Sequence, residues 1–180
     1  MAAGEDGYFR RFRFDDADLD EVRREIAADQ ATAAEGMDAS PALVAALVRL
    51  GFLLIPVGRE AEAVGHLEAG LAMARQLGEH GQEISALLHL ATAYQYLGER
   101  DRAQALFQQG LDKAAEYGID DERHYLLHHR GRCYAEQGRL REAHGCLAEA
   151  LALRQQTGPP RLIASSQDAL ADLARMSEAT

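Results

Sequence analysis

The sequence lacks tryptophan, has only four prolines and two cysteines, and aromatics make up just 6% of it. Scarce proline lets long helices run uninterrupted. The apolar content, 47% of the chain, is mostly Ala and Leu, the two best intrinsic helix formers. Two cysteines, Cys133 and Cys146, exclude a disulfide framework. The opening stretch MAAGEDGYFRRFRF has no apolar core that could act as an export signal, so both cysteines read as reduced thiols in a cytoplasmic protein. No segment approaches the roughly 20 apolar residues of a membrane span. The longest uncharged run, Ile84 to Gly98, is shorter and is broken by Ser85, His89, Thr92 and Gln95. Basic residues are also outnumbered, 19 against 29 acidic, for a net charge of −10. A polyanion repels such a body, which argues against nucleic acid and anionic membranes as partners.

What is present is a period. Gly58, Gly98 and Gly138 are 40 residues apart, and so are Gly78, Gly118 and Gly158. Each falls just past an amphipathic run, where a left-handed backbone ends a helix and costs glycine least. Two interleaved series of helix stops at one period define a helix–turn–helix unit used three times, from Val44, Ile84 and His124. Repeat position 4 is Leu47, Leu87, Leu127, and position 8 is Gly51, Ala91, Gly131. Position 11 is Leu54, Tyr94, Tyr134, position 20 is Ala63, Ala103, Ala143, and position 24 is Leu67, Phe107, Leu147. Positions 27 and 28 are Gly70, Gly110, Ala150 and Leu71, Leu111, Leu151. Spacings of three and four put these residues on one face of each helix. Small residues at 8, 20 and 27 let antiparallel backbones approach, and large ones at 4, 11, 24 and 28 fill the space between them.

This small–large pattern resembles the tetratricopeptide repeat family, over roughly residues 41–158. The resemblance implies an all-α, right-handed superhelical stack of antiparallel helix pairs, with about eight helices. The proline usual in the family near position 32 is replaced by Arg75, Ala115 and Gln155, and the 40-residue period implies longer second helices. Arg130 stands at position 7, where Leu50 and Leu90 sit elsewhere, and its stem can cover apolar surface while its head seeks solvent or a carboxylate. Pro56 should fray or bend the end of its helix.

The expected organisation is a tail over 1–15 and one domain over 16–180. That domain comprises a helix over 18–35, repeats over 44–83, 84–123 and 124–159, and a capping helix over 160–176. Asp18 and Glu21 suggest a capping box for the first helix, stopped near Gly36. Ser40–Pro41 supplies an N-cap and an N1 proline for the next.

The resemblance also implies a concave groove lined by the first helices of the repeats. Carried onto this chain, its residues are Val48, Phe52 and Ile55, then Ser85, Leu88, Thr92, Gln95 and Tyr96, then Tyr125, His128, Arg132 and Glu136. The lining grades from apolar to polar, which suits a peptide with one greasy end and one polar or acidic end. Its apolar end could instead be covered by the helix over 18–35 or by a second copy of the chain in a homodimer. The carboxylate clamp of the chaperone-binding members is not matched: its places hold Val48, Phe52, His89, Tyr125 and His129.

His124 and His128, and likewise His129 and Cys133, are four apart, a spacing that puts two ligands on one helical face. No third ligand is assured, so no metal or cofactor is expected, and groove polarity and packing account for these residues. No phosphate loop, nucleophile elbow or triad-like neighbourhood occurs, so the chain does not read as an enzyme. The run Tyr8 to Phe14 interleaves aromatic and basic residues, but acidic Asp15, Asp16, Asp18 and Asp20 follow at once. The sequence thus points to a protein–protein interaction adaptor or scaffold holding a partner peptide. A small dedicated chaperone or regulatory subunit, or a self-associating module, stands behind it.

Overall fold

A computed structural model describes residues 16–34 and 39–178. The aromatic–basic tail and the stop at Gly36 lie outside the described residues. The described residues form eight α-helices and one short 3-10 turn, with no strand among them. They group into two compact units, one ending at Glu99 and the other beginning at Arg100.

The first unit holds α1 (Asp16–Ala34), α2 (Pro41–Leu54), the 3-10 turn Ile55–Val57, α3 (Glu60–Leu77) and α4 (His80–Tyr96). Asp18 lies inside α1 rather than at its cap. Leu19, Val22 and Ile26 bury its inner face as α1 packs on α2. Ser40 caps α2 as the sequence implies, its hydroxyl accepting the Leu43 N–H at 3.1 Å. Pro56 tightens the end of α2 into the 3-10 turn, because a residue without an N–H cannot continue the α-helical ladder. Close approach of α2 and α3 rests on Gly51, where a Cβ would lie 2.3 Å from Leu67 Cγ.

The second unit holds α5 (Arg100–Tyr117), α6 (Arg123–Glu136), α7 (Leu140–Thr157) and α8 (Pro160–Glu178). The same device recurs here: a Cβ on Gly131 of α6 would lie 2.8 Å from Leu147 Cγ of α7. Tyr134, Ala143 and Leu147 continue into Ala169 and Leu173 of α8, making one apolar core. Each fully buried Leu or Phe side chain stabilises by about 1.5–3 kcal/mol. Position 28 is less uniform than its pattern suggests, with Leu71 buried but Leu111 and Leu151 only half-buried. Arg130 is half-buried, and among the described residues its head meets no carboxylate. It donates to the Tyr134 hydroxyl at 2.9 Å and to Gln104 Oε1 at 3.4 Å.

Five of the six periodic glycines end their helices at positive φ, between 67° and 83°. Gly158 does not: its φ is −79° and its ψ is 152°. Pro159 follows it, and a residue before proline is pushed into the extended region. Glycine is still required, because a Cβ there would lie 2.6 Å from the Arg154 carbonyl oxygen.

Candidate functional site

In the first unit the groove positions divide sharply by accessibility. Val48, Ile55, Leu88, Thr92 and Gln95 are buried. Val48 packs toward α3, its Cγ2 lying 3.2 Å from where a Gly70 Cβ would be, and the Thr92 hydroxyl donates to Leu88 O at 2.9 Å within its own helix. These side chains serve packing, so they are not a surface that a peptide can touch. Phe52 remains 40% exposed, and Ser85 and Tyr96 are half-buried. The Phe52 ring meets His89 of α4 with centroids 5.0 Å apart, joining α2 and α4 in one aromatic contact. Burial lowers the His89 pKa to about 4, so it is neutral near pH 7.

In the second unit Tyr125 is half-buried and Glu136 is exposed, with Arg100 Nε 3.8 Å from its carboxylate. His128 and Arg132, expected as accessible groove residues, are buried instead. His128 is 2% exposed, and burial, with the charges of Arg154 and Arg132 and with His124, lowers its pKa to about 2. It therefore cannot gain charge near pH 6.5 or report on an acidic peptide by titrating there.

Beside His128 stands Arg154 of α7, itself only 2% exposed. Its Nε donates to His124 Nδ1 at 3.2 Å. Its Nη1 donates to Ser166 Oγ at 2.8 Å and to Leu162 O at 3.1 Å, and lies 3.2 Å from His128 Nδ1. The guanidinium also stands 5.5 Å from the centre of the Tyr125 ring. Burial lowers the pKa of this arginine to about 10, so it stays charged at neutral pH. The cluster joins α6, α7 and α8. Its sequence signal is a break in the repeat: position 31 is Ala74 and Ala114 in the earlier units and Arg154 here.

The thiols of Cys133 and Cys146 are both pushed up by burial, so neither is an activated nucleophile. Among the described residues no three His, Cys, Asp or Glu side chains group as metal ligands. No helix of the described residues is long and apolar enough to cross a membrane.

Helix pairs at a fixed period, packed through glycine–leucine contacts, define a helical-repeat protein. Residues 43–116 match the tetratricopeptide repeat family model, and the chain has the fold of tetratricopeptide-like repeats. The match spans the first two repeats, and the third, with its His124, His128 and Arg154, lies beyond it. Among solved structures the chain is similar to BtubC (BKLC) from P. vanneervenii, with 20% identity and a TM-score of 0.74, over 96% of this chain and 68% of that one. It is also similar to two structures of the kinesin light chain-type, nearly identical TPR-like repeats of Podosopora anserina. Both are 22% identical over 96% of this chain, with TM-scores of 0.64 and 0.62, covering 89% and 90% of those chains. At such identities the likeness is one of fold. No curated protein matches the sequence.

Proposed function

We propose that this chain is a cytoplasmic, non-enzymatic adaptor or scaffold that binds a segment of another polypeptide along the first helices of its repeats. The observation that carries this reading is Phe52. Phe52 is the one predicted groove position among the described residues that keeps a large apolar side chain exposed, its ring being 40% accessible. An exposed ring on a rigid helix is the kind of anchor that dominates binding energy at protein interfaces. Within the first unit the contacting residues are Phe52, Ser85 and Tyr96, and within the second Tyr125 and Glu136. The buried candidates hold these in place. A second copy of the chain is the rival occupant of Phe52.

The experiment is cross-linked capture followed by mapping of the bound segment, then titration of that peptide onto wild type and Phe52→Ala. Phe52→Ala should lose about 2 kcal/mol or more of binding while keeping its helical circular dichroism. Unchanged peptide affinity in Phe52→Ala would remove the anchor and this reading with it. Light scattering over a concentration series separates the rival: a wild-type dimer that Phe52→Ala dissolves would assign the ring to self-association.

A further inference from the structure

The Arg154 cluster departs from the pattern of the earlier repeats. Three positions that are apolar in the first repeat become cationic or imidazole in the third: Val44 becomes His124, Val48 becomes His128, and Ala74 becomes Arg154. The result is a buried guanidinium whose hydrogen-bonding partners, His124 Nδ1, His128 Nδ1, Leu162 O and Ser166 Oγ, are all formally neutral. Among the described residues no carboxylate forms an ion pair with it. A buried charge without an opposite partner is costly.

The donors and acceptors are also out of balance. Nε and Nη2 of arginine form the edge that grips a carboxylate with two parallel hydrogen bonds. On Arg154 that edge is only half used. Nε donates to His124, and Nη2 has no hydrogen-bond partner among the described residues. Because the guanidinium cannot accept a proton, His124 must accept through Nδ1 and carry its own proton on Nε2. No acceptor for that proton lies among the described residues. Donors without acceptors therefore cluster beside a buried positive charge. His124 and Tyr125, the half-buried members, lie between them and solvent.

We propose that Nη2 of Arg154, the unused half of that edge, is an anion site that takes one oxygen of a carboxylate. A monoanion fits because one positive charge is uncompensated. The proposal stands independently of the adaptor reading, since a free carboxylate occupies the site as well as one borne on a peptide.

The probe is sodium acetate, titrated onto the full chain against sodium chloride at equal ionic strength. Melting temperature is read together with the His124 imidazole resonances by NMR. Acetate should raise the melting temperature saturably and shift the His124 ring signals. Arg154→Lys keeps the charge but loses the planar fork, and should weaken acetate binding about ten- to hundredfold. Arg154→Met removes the charge and should abolish it. If Arg154→Met does not fold, His124→Phe tests the same edge. It frees Nε for the second carboxylate oxygen and should tighten acetate binding with Arg154 intact, and unchanged binding would overturn the proposal. A second arm compares acetate with a short peptide bearing a single glutamate and blocked ends. Tighter saturation by the peptide assigns the carboxylate to a polypeptide, and equal saturation assigns it to a small molecule. The proposal is overturned if acetate acts no differently from chloride, if Arg154→Lys binds it as wild type does, or if inorganic phosphate binds more tightly than acetate.

Discussion

At equivalent repeat positions the two units make opposite choices. Positions 1, 5 and 31 are Val44, Val48 and Ala74 in the first unit, all buried. In the second they are His124, His128 and Arg154, with Arg154 bonded to Ser166 on the next helix, where α4 of the first unit carries Ala86. The helix spacing survives because the small–large packing pairs, Gly51 with Leu67 and Gly131 with Leu147, are the same in both. The repeat backbone therefore fixes how the helices sit within each unit and leaves the interior chemistry free. The first unit depends mainly on apolar area, and its buried Glu83 carboxylate is paired at 2.9 Å with Arg75, whose side chain is 43% exposed. The second adds a polar network whose worth depends on every member being bonded and in the right protonation state.

The largest expected effect tests the apolar half of that contrast. Leu67 is fully buried against Gly51, so Leu67→Ala should cost about 2–5 kcal/mol in denaturant unfolding. Hydrogen exchange should place the loss in α2–α4. A loss below about 1 kcal/mol would mean that α2 and α3 can collapse onto the void, contrary to a core set by close backbone approach.

Acid should act on both units alike down to about pH 4 and separate them below it. The folded pKa of His128 is about 2, below the unfolded value of 6.5, so the unfolded chain binds the proton first. Its contribution to stability is full above pH 6.5 and falls as pH drops from there toward 2, at up to about 1.4 kcal/mol per pH unit. Roughly 2–3 kcal/mol should be lost between pH 7 and 4.5. In the first unit His89 acts in the same direction, but its loss ends near its folded value of about 4. His128→Gln should flatten the acid limb of exchange in α6–α8 and leave α2–α4 unchanged. If wild type and His128→Gln lose stability in parallel down to pH 4.5, the imidazole is not held neutral and the contrast fails.

How far the sequence foretells this follows the same division. The helix pairs, the Ser40 cap, the Pro56 turn and the Gly–Leu approach are all readable, because each depends on neighbours within one repeat. Gly158 departs from the left-handed expectation because its conformation is set by the proline after it. Of the groove positions, Val48, Ile55, Leu88, Thr92, Gln95, His128 and Arg132 are buried within the chain. Register says which face a residue is on, while burial depends on what its neighbours put there. Arg154 is legible only as a break at position 31, whereas position 5 is buried in all three repeats, as Val48, Leu88 and His128.

A substitution shared by both units should show where the contrast ends. Gly51→Ala and Gly131→Ala each force a methyl into a leucine, and overpacking of this kind costs about 1–3 kcal/mol. The two losses should agree within about 1 kcal/mol at pH 7, since the approach is the common scaffold. A much larger loss at Gly131, where the Ala143 carbonyl oxygen also lies 3.1 Å from the added Cβ, would show that the polar network stiffens its surroundings.

The smallest effect belongs to the rim of the first unit. Arg49 of α2 and Glu25 of α1 lie 2.8 Å apart, with side chains 47% and 48% exposed. Water screens such a pair and the two long side chains lose entropy in forming it, so its coupling should be about 0.2–1 kcal/mol. The measurement is a double-mutant cycle with Arg49→Ala and Glu25→Ala, repeated in high salt, where the coupling should fall toward zero. In the second unit the buried charge of Arg154 should respond little to the same salt. A coupling above about 2 kcal/mol that survives high salt would mean the α1–α2 contact shields the pair from solvent. The α1–α2 pair would then join the buried Glu83 as a charge tied into the first unit, and the distinction between a mainly apolar and a polar half would no longer describe the molecule.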